Sequence, residues 1–134
     1  MYARIDNVDL LCADADAMAE FFHGVMGLPY FLPYEPGEGW VAIDCGNLTL
    51  YIFQTENAER EPRRTPVNEV NRPGWDSIAF EVEDLDAAIA ELDGKVEWAG
   101  DVIKWEHPSG TWYRYRPLYD PEGNMFYVTE PHKA

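Results

Sequence analysis

Metal, nucleophilic and redox chemistry all start from histidine, cysteine or clustered acids, and their spacing is what this chain offers first. Its three histidines are His23, His107 and His132. None stands two or four residues from another, so no strand or helix presents a His pair to a metal ion. His23 falls on the polar side of a helical pattern, His107 in the turn Glu106-His107-Pro108-Ser109-Gly110, and His132 in a C-terminal tail expected to fray. Cys12 and Cys45 lie in apolar stretches with no CxxC spacing, which reads as buried free thiols in a reducing compartment. The aromatic side chains are the richer resource, with 5 Trp, 8 Tyr and 6 Phe in 134 residues. That exceeds what one core of this size needs, so some are expected to wall a concave surface and stack on a planar or cationic guest. A net charge of −15 argues against nucleic acid and anionic membrane, which reward basic patches.

Elements follow from periodicity. Ile5 to Ala13 is a short apolar-rich stretch that suits a buried strand, with Val8, Leu10 and Cys12 on one face, and at Asp14-Ala15-Asp16 the period changes. That stretch offers N-cap oxygens, and Ala17, Met18, Phe21, Phe22, Val25 and Met26 then recur at helical spacing until Gly27. Tyr30 to Tyr34 is a short strand. Trp40 to Asp44 and Leu48 to Phe53 form a hairpin around Cys45-Gly46-Asn47. Gln54 to Gly74 is rich in proline and charge, poor in apolar residues, and reads as a linker. After it the wording restarts. Asp76-Ser77-Ile78 through Asp84-Leu85-Asp86-Ala87 repeats Asp6-Asn7-Val8 through Asp14-Ala15-Asp16-Ala17 at an offset of 70 residues, aspartate on aspartate at three places. A helix follows to Leu92, ended by Gly94. Three strand-like stretches come next: Val96 to Lys104, Thr111 to Leu118 and Met125 to Thr129. Each half is β-α-β-β-β, the mark of an internal duplication. The fold class is α+β with tandem βαβββ modules: module one 1–53, linker 54–74, module two 75–131. The first residues carry no basic, apolar leader and no stretch has the length of a membrane span, so the expected location is cytoplasmic.

The two openings, Ile5-Asp6-Asn7-Val8 through Met26-Gly27-Leu28-Pro29 and its repeat, together with the closing turn Asp120-Pro121-Glu122-Gly123-Asn124, resemble the vicinal oxygen chelate superfamily. This is the glyoxalase, bleomycin-resistance and dioxygenase group, and the resemblance covers nearly the whole chain. It implies modules whose strands form a cupped mixed sheet and together enclose a cavity, and in metal-dependent members a divalent ion held from the first and last strand of each module. The positions that match those ligands here are Asn7, Tyr51, Ser77 and Tyr127. Neutral amide and hydroxyl oxygens hold a divalent cation poorly, so the expectation is no metal and no cofactor.

If Asn7, Ser77, Tyr51 and Tyr127 face the cavity, alternation places Asp9, Glu81, Thr49, Phe53, Met125 and Thr129 on the same side. The opposite parity (Val8, Leu10, Ile78, Phe80, Leu50, Ile52, Phe126, Val128) is aliphatic and should meet the helices. Trp112, Arg114 and Arg116 share one face of their strand and Tyr113 and Tyr115 the other; alternation alone leaves open which turns inward, and Trp112 and Arg114 stand as candidate ligand contacts. Asp9 is the pointed residue. An inward acid costs several kcal/mol, of order, unless partnered, so it pairs with Arg114 or Arg116, meets a cationic ligand, or serves as a base. Two functions follow. One is a small-molecule binding protein that sequesters a cationic or planar aromatic compound, as bleomycin-resistance-type members do, with a homodimer as the family's assembly. The other is a metal-independent isomerase, lyase or cyclase with Asp9 as its catalytic base. A metal-dependent glyoxalase or dioxygenase comes third.

Overall fold

The computed structural model describes residues 3–134. The chain divides into two compact units, Met1–Arg60 and Glu61–Ala134, each a sheet with one helix.

Unit one contains β1 (Asn7–Cys12), helix α1 (Ala15–Ala19), β2 (Trp40–Asp44) and β3 (Thr49–Gln54). The sheet order is β1-β3-β2, with β1 parallel and β2 antiparallel to β3. Asp14 caps α1 as its spacing foretold, its carboxylate accepting from Ala17 N–H at 3.1 Å. Cys12 of β1 and Leu50 and Ile52 of β3, with Val41 and Ile43, share the core with Met18, Phe21 and Phe22; Met18, Phe22, Ile43, Leu50 and Ile52 are wholly excluded from water.

Two expectations change here. The helical run does not keep a 3.6 period: Glu20–Val25 is a π-helix, with Met26 N–H reaching Phe21 C=O at 2.9 Å. The wider turn buries the adjacent Phe21 and Phe22 together. Gly27, at φ +75°, then ends it, and Leu28 N–H closes on Phe22 C=O at 3.0 Å. Nor is Tyr30–Tyr34 a strand. Only Tyr30 bridges to Ile43, because Pro29 and Pro33 lack the N–H donors a ladder needs. The rings of Tyr30 and Tyr34 stack instead, 5.2 Å apart, and His23 lies on Tyr30 at 4.0 Å.

Unit two contains β4 (Ile78–Glu81), α2 (Leu85–Leu92), β5 (Glu97–Trp98), β6 (Ile103–Glu106), β7 (Trp112–Tyr119) and β8 (Met125–His132). The order is β4-β8-β7-β5, with β6 also on β7. β4 is parallel to β8 and the other pairs are antiparallel. The duplication is legible in atoms as well as letters. Val8↔Leu50 in unit one matches Ile78↔Phe126 in unit two. Asp84 caps α2 through Ala87 N–H at 3.1 Å, as Asp14 caps α1. Each helix start is also fastened to the end of its parallel strand: Gln54 Oε1 accepts from Ala15 N–H at 3.1 Å and Glu130 Oε1 from Leu85 N–H at 2.9 Å.

The Val96–Lys104 strand is broken. Trp98 faces Leu118 and Ile103 faces Tyr115, so residues 99–102 stand opposite only Arg116 and Pro117, and the surplus loops out at Gly100-Asp101. β8 runs on to His132 rather than fraying. That ring stacks on Trp112 at 3.8 Å, and its Nε2 lies 2.6 Å from Glu130 Oε2.

The closing turn is held by Asp120, which is 3% exposed. Its carboxylate accepts from Glu122 N–H (2.8 Å), Asn124 N–H (3.0 Å) and the Asn124 amide (2.7 Å). Burial pushes its carboxyl upward against those donors, with a small push from Glu122. Gly123 sits at φ +86°, a turn geometry that favours glycine. Among the described residues, no helix is long and apolar enough to cross a membrane.

Candidate functional site

The register of β4, β8 and β7 fixes which side chains share a face. Ala79 lies beside Tyr127 and Glu81 beside Thr129; Tyr115 lies beside Thr129, Pro117 beside Tyr127 and Tyr119 beside Met125. On this face Ala79, Tyr113, Tyr115, Tyr127 and Thr129 line an open concavity of about 220 Å³. Ala79 is small enough to leave the hollow, and the tyrosines wall it. Tyr115 and Tyr127 meet edge to face, 5.2 Å between centroids and 76° between planes, an arrangement favoured by ring quadrupoles. Burial raises the Tyr127 phenol above its ordinary value, helped by the nearby Asp76 carboxylate and the phenols of Tyr115 and Tyr119. Toward Tyr119 the face closes over, with the Tyr119 hydroxyl donating to Arg64 C=O at 2.6 Å and Met125 buried at 4% exposure.

The opposite face of β7 belongs to α2 and the strand edge. Arg114 Nη2 donates to Asp86 Oδ1 at 2.9 Å. Arg116 donates through Nε to Gly100 C=O at 2.9 Å and lies over the Trp98 ring at 4.2 Å. Trp112 is stacked on His132 with Lys104 Nζ 4.8 Å from its ring centroid. Trp112 and Arg114 are therefore not on the face of Tyr127, a correction to their candidacy as ligand contacts. The signal that could have decided this is Leu118. Its aliphatic side chain must face the core, and alternation carries 112, 114 and 116 with it.

In unit one, Asn7, Asp9 and Leu11 share the exposed face of β1. Asp9 stands beside Tyr51, and Thr49 beside Asn7. Asp9 takes its hydrogen bond from the Asn7 amide at 2.7 Å, while both candidate arginines are engaged by Asp86, Gly100 and Asp101. Tyr51 stacks on Phe53 at 6.1 Å, and Thr49 is buried. Ser77 precedes β4 and is exposed, as is Glu81. At the positions singled out by the resemblance, unit one thus supplies the Asn7 amide and the Tyr51 phenol, and unit two the Ser77 hydroxyl and the Tyr127 phenol. Among the described residues no three His, Cys, Asp or Glu side chains group in a way that could hold a metal ion. Neither unit's pair of neutral donors fits a divalent cation.

The backbone has well-matched counterparts among solved structures. A lactoylglutathione lyase from Agrobacterium tumefaciens is 24% identical over 96% of this chain and 94% of its own, at TM-score 0.66. A glyoxalase family protein from Enterococcus faecalis is 20% identical over 96% and 98%, at TM-score 0.69. TioX from Micromonospora sp. ML1 is 16% identical over 95% and 98%, at TM-score 0.64. At these identities the likeness shows the fold. No curated protein is matched by sequence. The family model for the Glyoxalase/Bleomycin resistance protein/Dioxygenase superfamily covers residues 4–128, nearly the whole of the duplicated α+β pattern, and the chain belongs to that superfamily.

Proposed function

We propose that this chain binds a small planar aromatic compound, cationic or uncharged, on the tyrosine face of unit two, and does so without a metal ion. The observation that carries the reading is the concavity walled by Tyr113, Tyr115 and Tyr127 over Ala79 and Thr129. Aromatic walls with few polar groups are the usual build of a small-molecule site. The register sets two carboxylates on this face, Glu81 beside Thr129 and Glu97 beside Tyr119, and the Arg63 guanidinium over the Tyr119 ring is paired with Glu97. A cation over such rings gains about 0.5–2 kcal/mol per ring, and at the Tyr119 end the Arg63 charge is offset by its 2.6 Å ion pair with Glu97. The neutral donors at Asn7, Tyr51, Ser77 and Tyr127 support metal independence, and elemental analysis returning one equivalent of zinc, nickel, manganese or iron would overturn that part.

Isothermal titration with benzyltrimethylammonium and with proflavine, a planar three-ring cation, tests the site. Both should bind, and Tyr115→Ala should weaken both about tenfold. If neither binds the wild-type protein, the reading fails. A second reading, a metal-independent isomerase, lyase or cyclase, draws on Asp9, whose carboxylate is steadied by Asn7 beside Tyr51. It requires that Asp9→Ala abolish turnover of a substrate while leaving that substrate's affinity intact.

A further inference from the structure

We infer that Trp105 on β6 is a specificity residue that extends the tyrosine wall and selects elongated planar ligands over single rings; this rests on the concavity being the binding site. A cavity of about 150 Å³ is enough for one benzene ring, and pockets for drug-sized ligands begin near roughly 300 Å³. At about 220 Å³ the hollow seats one substituted ring, so any larger guest must continue beyond it. Toward Tyr119 it is stopped by the bond to Arg64 and by buried Met125. On the other side Tyr113 is followed across the strand gap by Trp105, its direct partner in the β6–β7 register.

The indole is placed for contact and is not consumed by the core. Trp105 is 46% exposed, and its ring lies 5.8 Å from Tyr113 at 56°. The loop-out at Gly100-Asp101 is what brings it there. Continued from Trp98↔Leu118 without surplus residues, the ladder would set Trp105 opposite Thr111, past the end of β7. The two surplus residues slide it to Tyr113, on the lining of the hollow, and an even step preserves the face. Tyr113 pairs with Pro131, four residues along β8 from Tyr127, so from Tyr127 through Tyr113 to Trp105 on β6 the wall runs diagonally, two strand spacings across and four residues along, about 16 Å, which suits a fused multi-ring plane and exceeds one ring. Beyond it, the His107 ring follows Trp105 at 6.0 Å, held in its turn by Ser109.

The test compares the same two probes on Trp105→Ala and Trp105→Phe, with circular dichroism confirming the fold of each. Trp105→Ala should weaken proflavine about tenfold and leave benzyltrimethylammonium within about twofold, and Trp105→Phe should restore most of the proflavine affinity. Unchanged proflavine binding, or an equal loss for both probes, overturns the role of Trp105 while the tyrosine site stands. Failure of both probes to bind the wild-type protein overturns the site and this role together.

Discussion

Replacing Asp120 with alanine strips the acceptor from three donors at once: Glu122 N–H, Asn124 N–H and the Asn124 amide. An unsatisfied buried donor costs about 1–3 kcal/mol. Glu122 and Asn124 are half-buried, so water reaches part of the gap and the lower end applies, about 3 kcal/mol in total. For a chain of this size that corresponds to a fall in melting temperature of about 10 °C. Asp120→Asn keeps an oxygen for both backbone donors, and the Asn124 amide can rotate to accept from the new one; its cost is about 1 kcal/mol. The pH dependence adds a second arm. Burial raises the Asp120 carboxyl in the folded state, so the folded chain holds this proton more tightly than the unfolded one. The resulting increment of stability is complete below the ordinary Asp value and is lost as pH rises through the raised folded value. Asp120→Asn does not titrate, so the gap between it and the wild type should narrow across that window. Urea unfolding at several pH values measures both arms. An Asp120→Ala protein within about 0.5 kcal/mol of wild type, or a gap that widens with pH, refutes the reasoning.

Other expectations follow from the same reading. Asp14→Ala and Asp84→Ala each remove a helix N-cap and should cost about 1 kcal/mol apiece; chemical denaturation showing no change for both would remove the capping account. Arg64 ties its strap by donating to Trp75 C=O at 2.8 Å and Arg72 C=O at 2.6 Å. Arg64→Ala should speed amide hydrogen exchange at residues 65–76, measured by mass spectrometry, and leave α2 unchanged. Tyr127→Phe should subtract from the ultraviolet alkaline titration a phenol that ionises above pH ~10, as its burial requires; a step lost below that pH would contradict its placement.

The sequence made much of the scaffold legible because its strongest signals are local. Asp14 and Asp84 announce helix starts in the only way a short polar side chain can, and both are caps. The hairpin of β2 and β3 follows from alternation around Gly46. Where a residue's partner is remote in sequence, the reading faltered. Pro33 spoils the run from Tyr30 to Tyr34 by lacking one donor. The break between β5 and β6 depends on how β7 is paired, which alternation within 96–104 does not encode. The face of β7 was the costlier gap for the site. Alternation grouped Tyr113 with Tyr115 and Trp112 with Arg114 but, read without Leu118 as its anchor, left their faces open; pairing with β8 puts the tyrosines with Tyr127, while Arg114 goes to Asp86. Asp9 was expected to seek a distant arginine and is met two residues away by Asn7.

The parallel pairing of β4 with β8 has a consequence for the order in which the protein assembles. β4 sits at the end of its sheet, so during synthesis it leaves the ribosome dozens of residues before its neighbour exists. Contacts of such long sequence separation form slowly, and until β8 arrives the apolar edge of β4 is open to other nascent chains. The acid-rich flank around Glu81, Glu83 and Asp84 places like charges beside that waiting edge, which discourages two unfinished copies from pairing with each other.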